Sequence, residues 1–212
     1  MNTVSKKFRG RPRKSSDARE AGRGRLIEAA IALLNEGGSQ HLTVRAVAER
    51  VGVSVGTVYG LFDHLEELKL EANAITTRAL REHLTGAVPP ETVDAETALL
   101  ALAKAYIDFA RANRRRWAAL FDPVTIEAPS TLSAEIAGSF ALIEAILARA
   151  GGDPDTVPVL AKALWSSVHG MVYLGELQGL GPVGPDDVPG MVGTLVRATV
   201  RGLEKSAQGD RA

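Results

Sequence analysis

Side chains that could carry out catalysis are dispersed along this 212-residue sequence rather than gathered into one site. The sequence contains no cysteine, and its histidines are far apart: His41, His64, His83 and His169. No phosphate-binding loop and no metal-spaced cluster sets a nucleophile beside a base. We therefore expect no enzyme, no cofactor and no metal site, and the lack of thiols fits a reducing compartment, the cytoplasm.

Positive charge is concentrated near the N-terminus, although the formal net charge of the chain is zero. Residues 1–25 hold nine Lys or Arg and two acidic residues, whereas residues 71–212 carry a net charge of −4. The N-terminal end is therefore suited to a polyanion such as double-stranded DNA. No apolar run approaches the ~20 residues that a bilayer-spanning helix needs, so no membrane contact is predicted.

Residues 1–21 are charged, polar and poor in apolar side chains, which predicts a flexible arm. Within this arm, the run R-G-R-P-R-K at 9–14 resembles an AT-hook core. Such a core would place Arg9, Arg11 and Arg13 in a narrow, A/T-rich minor groove. The alternative is a solvated basic tail that is attracted to phosphates without reading sequence. Both interpretations put the arm on DNA.

From Gly22 onward the apolar residues recur at helical spacing, and no alternating run predicts a strand. The breaks predict about nine helices, at 22–37, 43–52, 54–61, 63–85, 92–113, 114–121, 131–150, 156–180 and 188–205. Thr43 and Ser54 are suited to cap helices, and Asp63 with Glu66 resembles a capping box. The predicted fold is all-α, with a three-helix DNA-binding domain at 22–82 and a ligand-binding and dimerisation domain at 90–206.

The two short helices between residues 43 and 61 predict a helix-turn-helix. Gly52 can take the positive φ that a sharp turn between them needs. Four apolar side chains would pack toward the first helix, namely Val47, Val53, Val58 and Phe62. The second short helix then presents three small residues that let it enter the ~12 Å major groove, Val55, Gly56 and Thr57.

This motif resembles the TetR family of transcriptional regulators. The resemblance rests on A-A-I-x-L-L-x-E-x-G at 29–38, T-V-R-x-V-A-x-x-V-G-V-S-x-G-T-V-Y-x-L-F at 43–62 and E-E-L at 66–68. It implies base contacts by Val55, Gly56 and Thr57, and phosphate contacts by Thr43 and Tyr59. Arg45, Ser54 and His64 complete the predicted DNA-binding set, and Arg45 is alternatively an ordinary exposed charge.

Two positions depart from the family pattern. Leu65 stands where a lysine is common, and Leu61 stands where an aromatic residue or histidine is common. The first departure removes one expected phosphate contact, for which His64 is a weak substitute.

The last two predicted helices resemble the pair that forms an intermolecular four-helix bundle in TetR proteins. Apolar stripes for this purpose are Leu164, Val168, Met171, Leu195, Val196, Thr199 and Leu203, with Gly170 and Gly175 permitting close approach. The alternative is a seam inside one chain. A homodimer is expected because one recognition helix reads only a few base pairs, whereas a palindromic operator offers two half-sites.

Aromatic residues in the C-terminal half predict a site for a small apolar or amphipathic ligand. W-S-S-V-H-G-M-V at 165–172 resembles the W-x-x-x-H-G signature of one TetR sensor subgroup, and residues 106–121 resemble its fifth and sixth helices, with Arg114 replacing the usual proline. The predicted ligand-binding residues are Tyr106, Phe109, Trp117, Phe121, Phe140, Trp165, His169 and Tyr173. His169 is alternatively a hydrogen-bonded core residue. The arginines at 114–116 are expected to form a solvated face, with an anionic-ligand role as the alternative.

These features predict a ligand-responsive repressor that binds a palindromic operator as a dimer. In this hypothesis the ligand displaces the sixth helix near Trp117 and, through the fourth helix, changes the separation of the two recognition helices. The competing hypothesis is an architectural protein that coats DNA nonspecifically through its basic arm.

Overall fold

A computed structural model describes residues 16–177 and 187–209 of the chain. Within these residues the secondary structure consists of nine α-helices and one short 3-10 turn, Gly38–His41, without any strand. The helices are α1 Ser16–Gly37, α2 Val44–Val51, α3 Val55–Tyr59, α4 Leu65–Ala87, α5 Ala95–Ala112, α6 Arg114–Ala119, α7 Ser130–Arg149, α8 Val157–Leu177 and α9 Val188–Gly209. The all-α prediction is confirmed.

Helix α1 begins at Ser16 rather than at Gly22, so residues 16–21 of the expected arm are helical. The segment from Ala18 to Ala21 consists of strong helix formers that extend an existing helix at little cost. Asp17 lies in the first turn, where a negative charge complements the helix dipole. The low apolar content of residues 16–21 predicted a flexible arm, but their high helix propensity extends α1 instead. Arg9, Arg11 and Arg13 lie outside the described residues.

Local capping signals fix the helix-turn-helix. The Thr43 hydroxyl accepts the N–H of Ala46 at 3.1 Å, and the Ser54 hydroxyl accepts the N–H of Thr57 at 3.1 Å. Gly52 ends α2 in the left-handed conformation, at φ 72°. These three predictions are confirmed.

The capping box predicted for α4 is wrong. The N-cap is His64, which makes no side-chain capping bond, and the backbone N–H of Asp63 donates to the carboxylate of Glu67 at 3.0 Å. Glu66 instead accepts a hydrogen bond from the Thr125 hydroxyl at 2.6 Å. Thr125, which is distant in sequence, therefore binds the Glu66 carboxylate that the local pattern predicted to cap α4.

An N-terminal core lies beneath the helix-turn-helix. Its largest buried side chains are Leu26, Leu33, Leu34, Val47, Val58, Phe62 and Leu68. Val53 packs against this core as a partly buried residue, so the four side chains predicted to support the motif do so. Burying one such side chain stabilises the fold by about 1.5–3 kcal/mol.

The second core joins α4 to α9, and it shares two helices with the first. Leu68 and Ala72 of α4 belong to the N-terminal core, whereas Leu80 and Leu84 of the same helix belong to the second. Ala119 of α6 is likewise buried in the N-terminal core. The N-terminal core and the second core are thus connected through shared helices, which lets a displacement in one reach the other.

Within the described part of the chain, α7 alone has the length and apolar composition to cross a bilayer, a feature that the sequence analysis did not anticipate. In the structure α7 packs against α4, α5 and α8. Its Glu135 accepts hydrogen bonds from Arg78 at 2.8 Å and Arg81 at 2.6 Å, and these two arginines lower the pKa of Glu135. Helix α7 is therefore tied to α4 by charge as well as by apolar contact.

Candidate DNA-binding surface and ligand cavity

Helix α3 exposes two apolar side chains to solvent. Val55 is 42% exposed and Tyr59 is 53% exposed, and their spacing places them on one side of the helix. Val58 is buried on the opposite side and anchors α3 to the N-terminal core. Exposed apolar residues next to polar caps are typical of a contact surface.

Gly56 and Thr57 complete this tip. Open space surrounds the position of a Gly56 side chain, since its nearest neighbour is the Ser54 hydroxyl at 3.8 Å. The Thr57 hydroxyl lies 2.9 Å from the Ser54 hydroxyl. Because a hydroxyl has one donor and two acceptor positions, Thr57 keeps capacity for a bond to a base edge.

The remaining predicted contacts surround the tip at helix starts. Thr43, Ser54 and His64 are the N-caps of α2, α3 and α4, and all three are exposed. Helix N-termini attract phosphate groups. Arg45 forms an exposed pair with Glu49 at 3.2 Å, and such i,i+4 pairs contribute only about 0.3–0.5 kcal/mol. Arg45 is therefore available to a phosphate.

Leu61 and Leu65, the two departures from the family pattern, are packing residues here. Both are partly buried against the N-terminal core. A residue that the sequence analysis missed, Arg23 of α1, holds this region in place. Its guanidinium donates to Glu67 at 2.9 Å and to Glu71 at 3.3 Å, and it lies 4.0 Å from the centroid of the Phe62 ring. No local pattern indicates these contacts, because the partners are more than 35 residues away in sequence.

A cavity of about 220 Å³ lies in the sensor domain. Helices α4, α5, α7 and α8 and the segment after α6 supply its wall, which is mainly apolar. Four of the predicted ligand-binding residues line it, namely Tyr106, Phe121, Phe140 and Trp165. Helix α4 also contributes to the wall, which the sequence did not predict. Its lining residues are Leu70, Asn73, Thr77, Leu80 and Leu84.

The other four predicted ligand-binding residues, Phe109, Trp117, His169 and Tyr173, are not part of this wall. Phe109 and Trp117 are buried in the second core. His169 stacks on Trp165 with a centroid distance of 5.1 Å, and its neighbour one turn further on is Tyr173 at 5.7 Å. Trp117 and His169 contact lining residues through their rings, Trp117 at Tyr106 and Phe121 and His169 at Phe121 and Trp165. Ligand contact by any of the eight stays a prediction.

His169 and Tyr106 form a neutral polar pair inside the aromatic cluster. The Tyr106 hydroxyl lies 2.8 Å from Nδ1 of His169. Burial lowers the pKa of His169 and raises the pKa of Tyr106. With both groups uncharged at neutral pH, the phenol can donate to an unprotonated Nδ1.

Asp122 joins the cavity to the DNA-binding domain. It lines the cavity just after α6, accepts a hydrogen bond from Lys69 of α4 at 2.7 Å, and accepts another from the Ser39 hydroxyl in the 3-10 turn before α2. Arg115 of α6 also donates to the backbone carbonyl of Glu36 at the end of α1. The segment before the helix-turn-helix is therefore held by Asp122 at the cavity and by Arg115 of α6.

The apolar stripes predicted for a dimer interface lie largely inside the monomer. Leu164, Val168 and Val196 are buried in the second core, so the intramolecular alternative is correct for them. Periodicity identified an apolar face but not what covers it. Other apolar residues of α8 and α9 remain exposed, namely Val159, Tyr173, Leu174 and Met191.

Comparisons with known proteins agree with this architecture. Residues 26–72 match the model for bacterial regulatory proteins of the tetR family, and residues 99–199 match a tetracyclin repressor-like C-terminal domain. The HTH-type transcriptional repressor KstR of Rhodococcus jostii is 30% identical over 184 residues, which span 83% of this chain and 80% of KstR. The chain belongs to the TetR family. As a TetR-family protein it is a DNA-binding transcriptional regulator, and the named relatives are regulators rather than enzymes.

Solved structures share the fold of this TetR-family regulator. A Rhodococcus protein of unknown function superposes with a TM-score of 0.68 at 22% identity, covering 94% of this chain and all of that protein. A TetR regulator from Streptomyces coelicolor gives 0.62 at 19% identity, covering 86% of this chain and 97% of the other. A TetR protein of Acinetobacter baumannii, solved with minocycline, gives 0.62 at 22% identity, covering 87% and 97%. Regulators of this family bind DNA as dimers and respond to small molecules.

Proposed function

We propose that this TetR-family regulator is a repressor that binds a palindromic operator as a homodimer and releases it when a small ligand fills the sensor cavity. The observation that carries the proposal is the position of Asp122. This carboxylate lines the cavity and also bonds to Ser39, just before the helix-turn-helix. A ligand that favours another arrangement of the segment after α6 would therefore shift the DNA-binding domain as well.

The DNA side of the proposal rests on the exposed tip of α3. Val55, Gly56 and Thr57 would read bases in the major groove, where a valine or threonine methyl can contact a thymine methyl. Because the tip carries no charge, phosphate contacts fall to Thr43, Arg45, Ser54, Tyr59 and His64. Arg9, Arg11 and Arg13 of the arm would add minor-groove or phosphate contacts and a share of the affinity.

The sensor side is proposed to follow the W-x-x-x-H-G subgroup. Trp165, His169 and Tyr173 follow one another on one face of α8, with ring centroids 5.1 Å and 5.7 Å apart, which supports that assignment. These residues would fix the orientation of Trp165 on the cavity wall, because Trp165 stacks on His169 and His169 makes a tilted contact with Tyr173. Ligand entry would act first on α6 and then on α4, which spans both cores.

Selection of bound fragments from the organism's own DNA, followed by footprinting, tests the proposal. A regulator protects a discrete site with two-fold symmetry, with half-site centres about one or more helical turns apart. An architectural protein protects DNA uniformly, and this outcome would reject the proposal. A ligand with equal affinity for the free and the DNA-bound dimer would reject the release mechanism.

A further inference from the structure

Asn73 is a buried polar residue whose side-chain amide donates one hydrogen bond and accepts none. It lies in the middle of α4, is 3% exposed and forms part of the cavity wall. Its Oδ1 has no hydrogen-bond partner among the described residues. Leaving a buried acceptor without a partner costs about 1–3 kcal/mol, and such groups in native proteins call for an explanation.

The orientation of the Asn73 amide follows from its other contact. Nδ2 donates to the backbone carbonyl of Ala119 at 3.4 Å. That carbonyl can only accept, so the NH₂ group must face it, and the oxygen is the atom left over. The missing partner of Asn73 is therefore a donor, not an acceptor.

The wall around Asn73 is mainly apolar. Its α4 residues include Thr77, a hydroxyl residue one turn from Asn73, and the apolar residues Leu70, Leu80 and Leu84, while facing side chains from α7 include Phe140 and Ile143. An ordered water needs two to four polar partners and would leave this apolar wall uncovered. An apolar molecule with one donor satisfies Oδ1 and also buries the apolar wall.

The charges around the cavity exclude an ionic ligand. Asp122 is the one ionisable carboxylate among the described lining residues, and none of these residues is Lys, Arg or His. Asp122 is already paired with Lys69 at 2.7 Å. An anion would meet a carboxylate and no basic side chain on the wall, and a cation would meet a carboxylate whose charge Lys69 already neutralises, so each would lose hydration without adequate compensation.

We infer that the cavity binds an uncharged, mainly apolar ligand that donates one hydroxyl or N–H hydrogen bond to Oδ1 of Asn73. This inference rests on the proposed ligand-sensing function and gives the chemical class of its ligand. Since Asn73 also holds the Ala119 carbonyl at the end of α6, the donor binds where α4 meets α6. This is the junction through which the cavity reaches the DNA-binding domain.

A matched series of probes tests the inference: 4-pentylphenol, which has a donor; 4-pentylanisole, which lacks it; and 4-pentylbenzoate, which is an anion. Trp165 lines the cavity, so tryptophan fluorescence reports binding. The quantity compared is the ratio of the anisole Kd to the phenol Kd in each protein, because differences in probe hydration cancel between proteins. The variants are Asn73→Leu and Asn73→Ala. The control is Ser139→Ala, which removes a wall hydroxyl that already donates to the Glu135 carbonyl at 3.0 Å.

The expected ratio is about tenfold higher in the wild type than in either Asn73 variant, the effect of one neutral hydrogen bond. Ser139→Ala keeps the wild-type ratio, and 4-pentylbenzoate binds most weakly. Anisole binding by an Asn73 variant shows that its cavity is intact. Equal ratios in wild type and variants, tight binding of the benzoate, or binding of none of the probes overturns the inference. Failure here with a discrete palindromic footprint leaves DNA regulation standing, whereas a uniform footprint rejects the proposed function itself.

Discussion

Thr57 lies at the tip of α3, and its side chain offers both a hydroxyl and a methyl group to a base edge. It is half-buried, and its hydroxyl is oriented by the Ser54 hydroxyl 2.9 Å away. The uncharged residues on either side add no phosphate attraction. Sequence discrimination at this tip therefore depends on single hydrogen bonds and methyl contacts, and a mismatched base pair in a specific site typically costs about 1–3 kcal/mol.

Thr57→Val tests this role, since it keeps the shape and one methyl group but loses the hydroxyl. We expect discrimination to fall by about 5–150-fold at one base position of each half-site while affinity for other substitutions is retained. Fluorescence anisotropy with single-base operator variants measures this. Arg45→Ala provides the contrast, because loss of a phosphate contact weakens all sequences about equally and reduces the salt dependence. If Thr57→Val also weakened all sequences equally, Thr57 would not read a base.

The half-buried imidazole of His169 makes stability depend on pH. Burial lowers the pKa of His169 in the folded chain, whereas the pKa of a histidine in an unfolded chain is about 6.5. As the pH falls below about 6.5, the unfolded chain binds a proton that the folded chain takes up only at lower pH. The stability associated with neutral His169 is therefore present above this pH and is lost as the pH falls toward the folded pKa.

His169→Asn removes the titration and keeps a polar group near Tyr106. We expect the wild-type advantage in the free energy of unfolding to be constant above about pH 7 and to shrink as the pH is lowered from 6.5. Urea unfolding of both proteins across this range measures the difference. An advantage that grows on acidification would contradict the assigned direction of the pKa change.

At the scale of helices, the sequence predicts what is local and misses what is contributed by distant residues. Thr43, Ser54 and Gly52 fix α2 and α3 within a few residues of themselves, so their roles are readable without the fold. The cap of α4 is misassigned because Thr125, far along the chain, takes Glu66. The position of Asn73 within α4 can be predicted from the sequence. Its place on the cavity wall cannot, because it depends on how α7 packs.

The hydrogen bond between Ser39 and Asp122 is the contact through which the cavity is proposed to regulate DNA binding. Ser39→Ala and Asp122→Asn each remove one side of it, and each should lower operator affinity of the ligand-free protein severalfold. Because both act on one contact, the double variant should be less impaired than the product of the single effects, with a coupling of at least about 0.5 kcal/mol. Operator titrations of the four proteins complete the cycle.

Asp108→Asn is the control for the loss of charge. Asp108 pairs with Lys104 at 2.6 Å on the exposed side of α5, and neither residue lines the cavity. We expect it to leave operator affinity unchanged. Strictly additive effects of Ser39→Ala and Asp122→Asn would show that this contact does not connect the cavity segment to DNA binding.

For the whole molecule, we propose that exposed apolar residues of the last two helices form the interface between two chains. Tyr173 and Leu174 of α8 and Met191 of α9 are exposed, whereas three of the side chains first predicted for this role, Leu164, Val168 and Val196, are buried in the second core. A two-fold interface repeats each contact, so one exposed apolar residue is buried twice. In the proposed dimer, the second core and the shared helices α4 and α6 would join this interface to the recognition helix of each chain.

Leu174→Glu places a charge at this surface and should separate the chains. An unpaired buried carboxylate costs several kcal/mol, and the two-fold axis doubles the penalty. We expect sedimentation to report a monomer and operator affinity to fall by about 10²-fold or more, because two linked half-sites gain that much from binding together. Ile75→Glu is the matched control, since Ile75 is a comparably exposed apolar residue on α4, outside the last two helices. The control should remain a dimer with full operator affinity. A Leu174→Glu protein that still sediments as a dimer and binds the operator normally would place the interface elsewhere on the molecule.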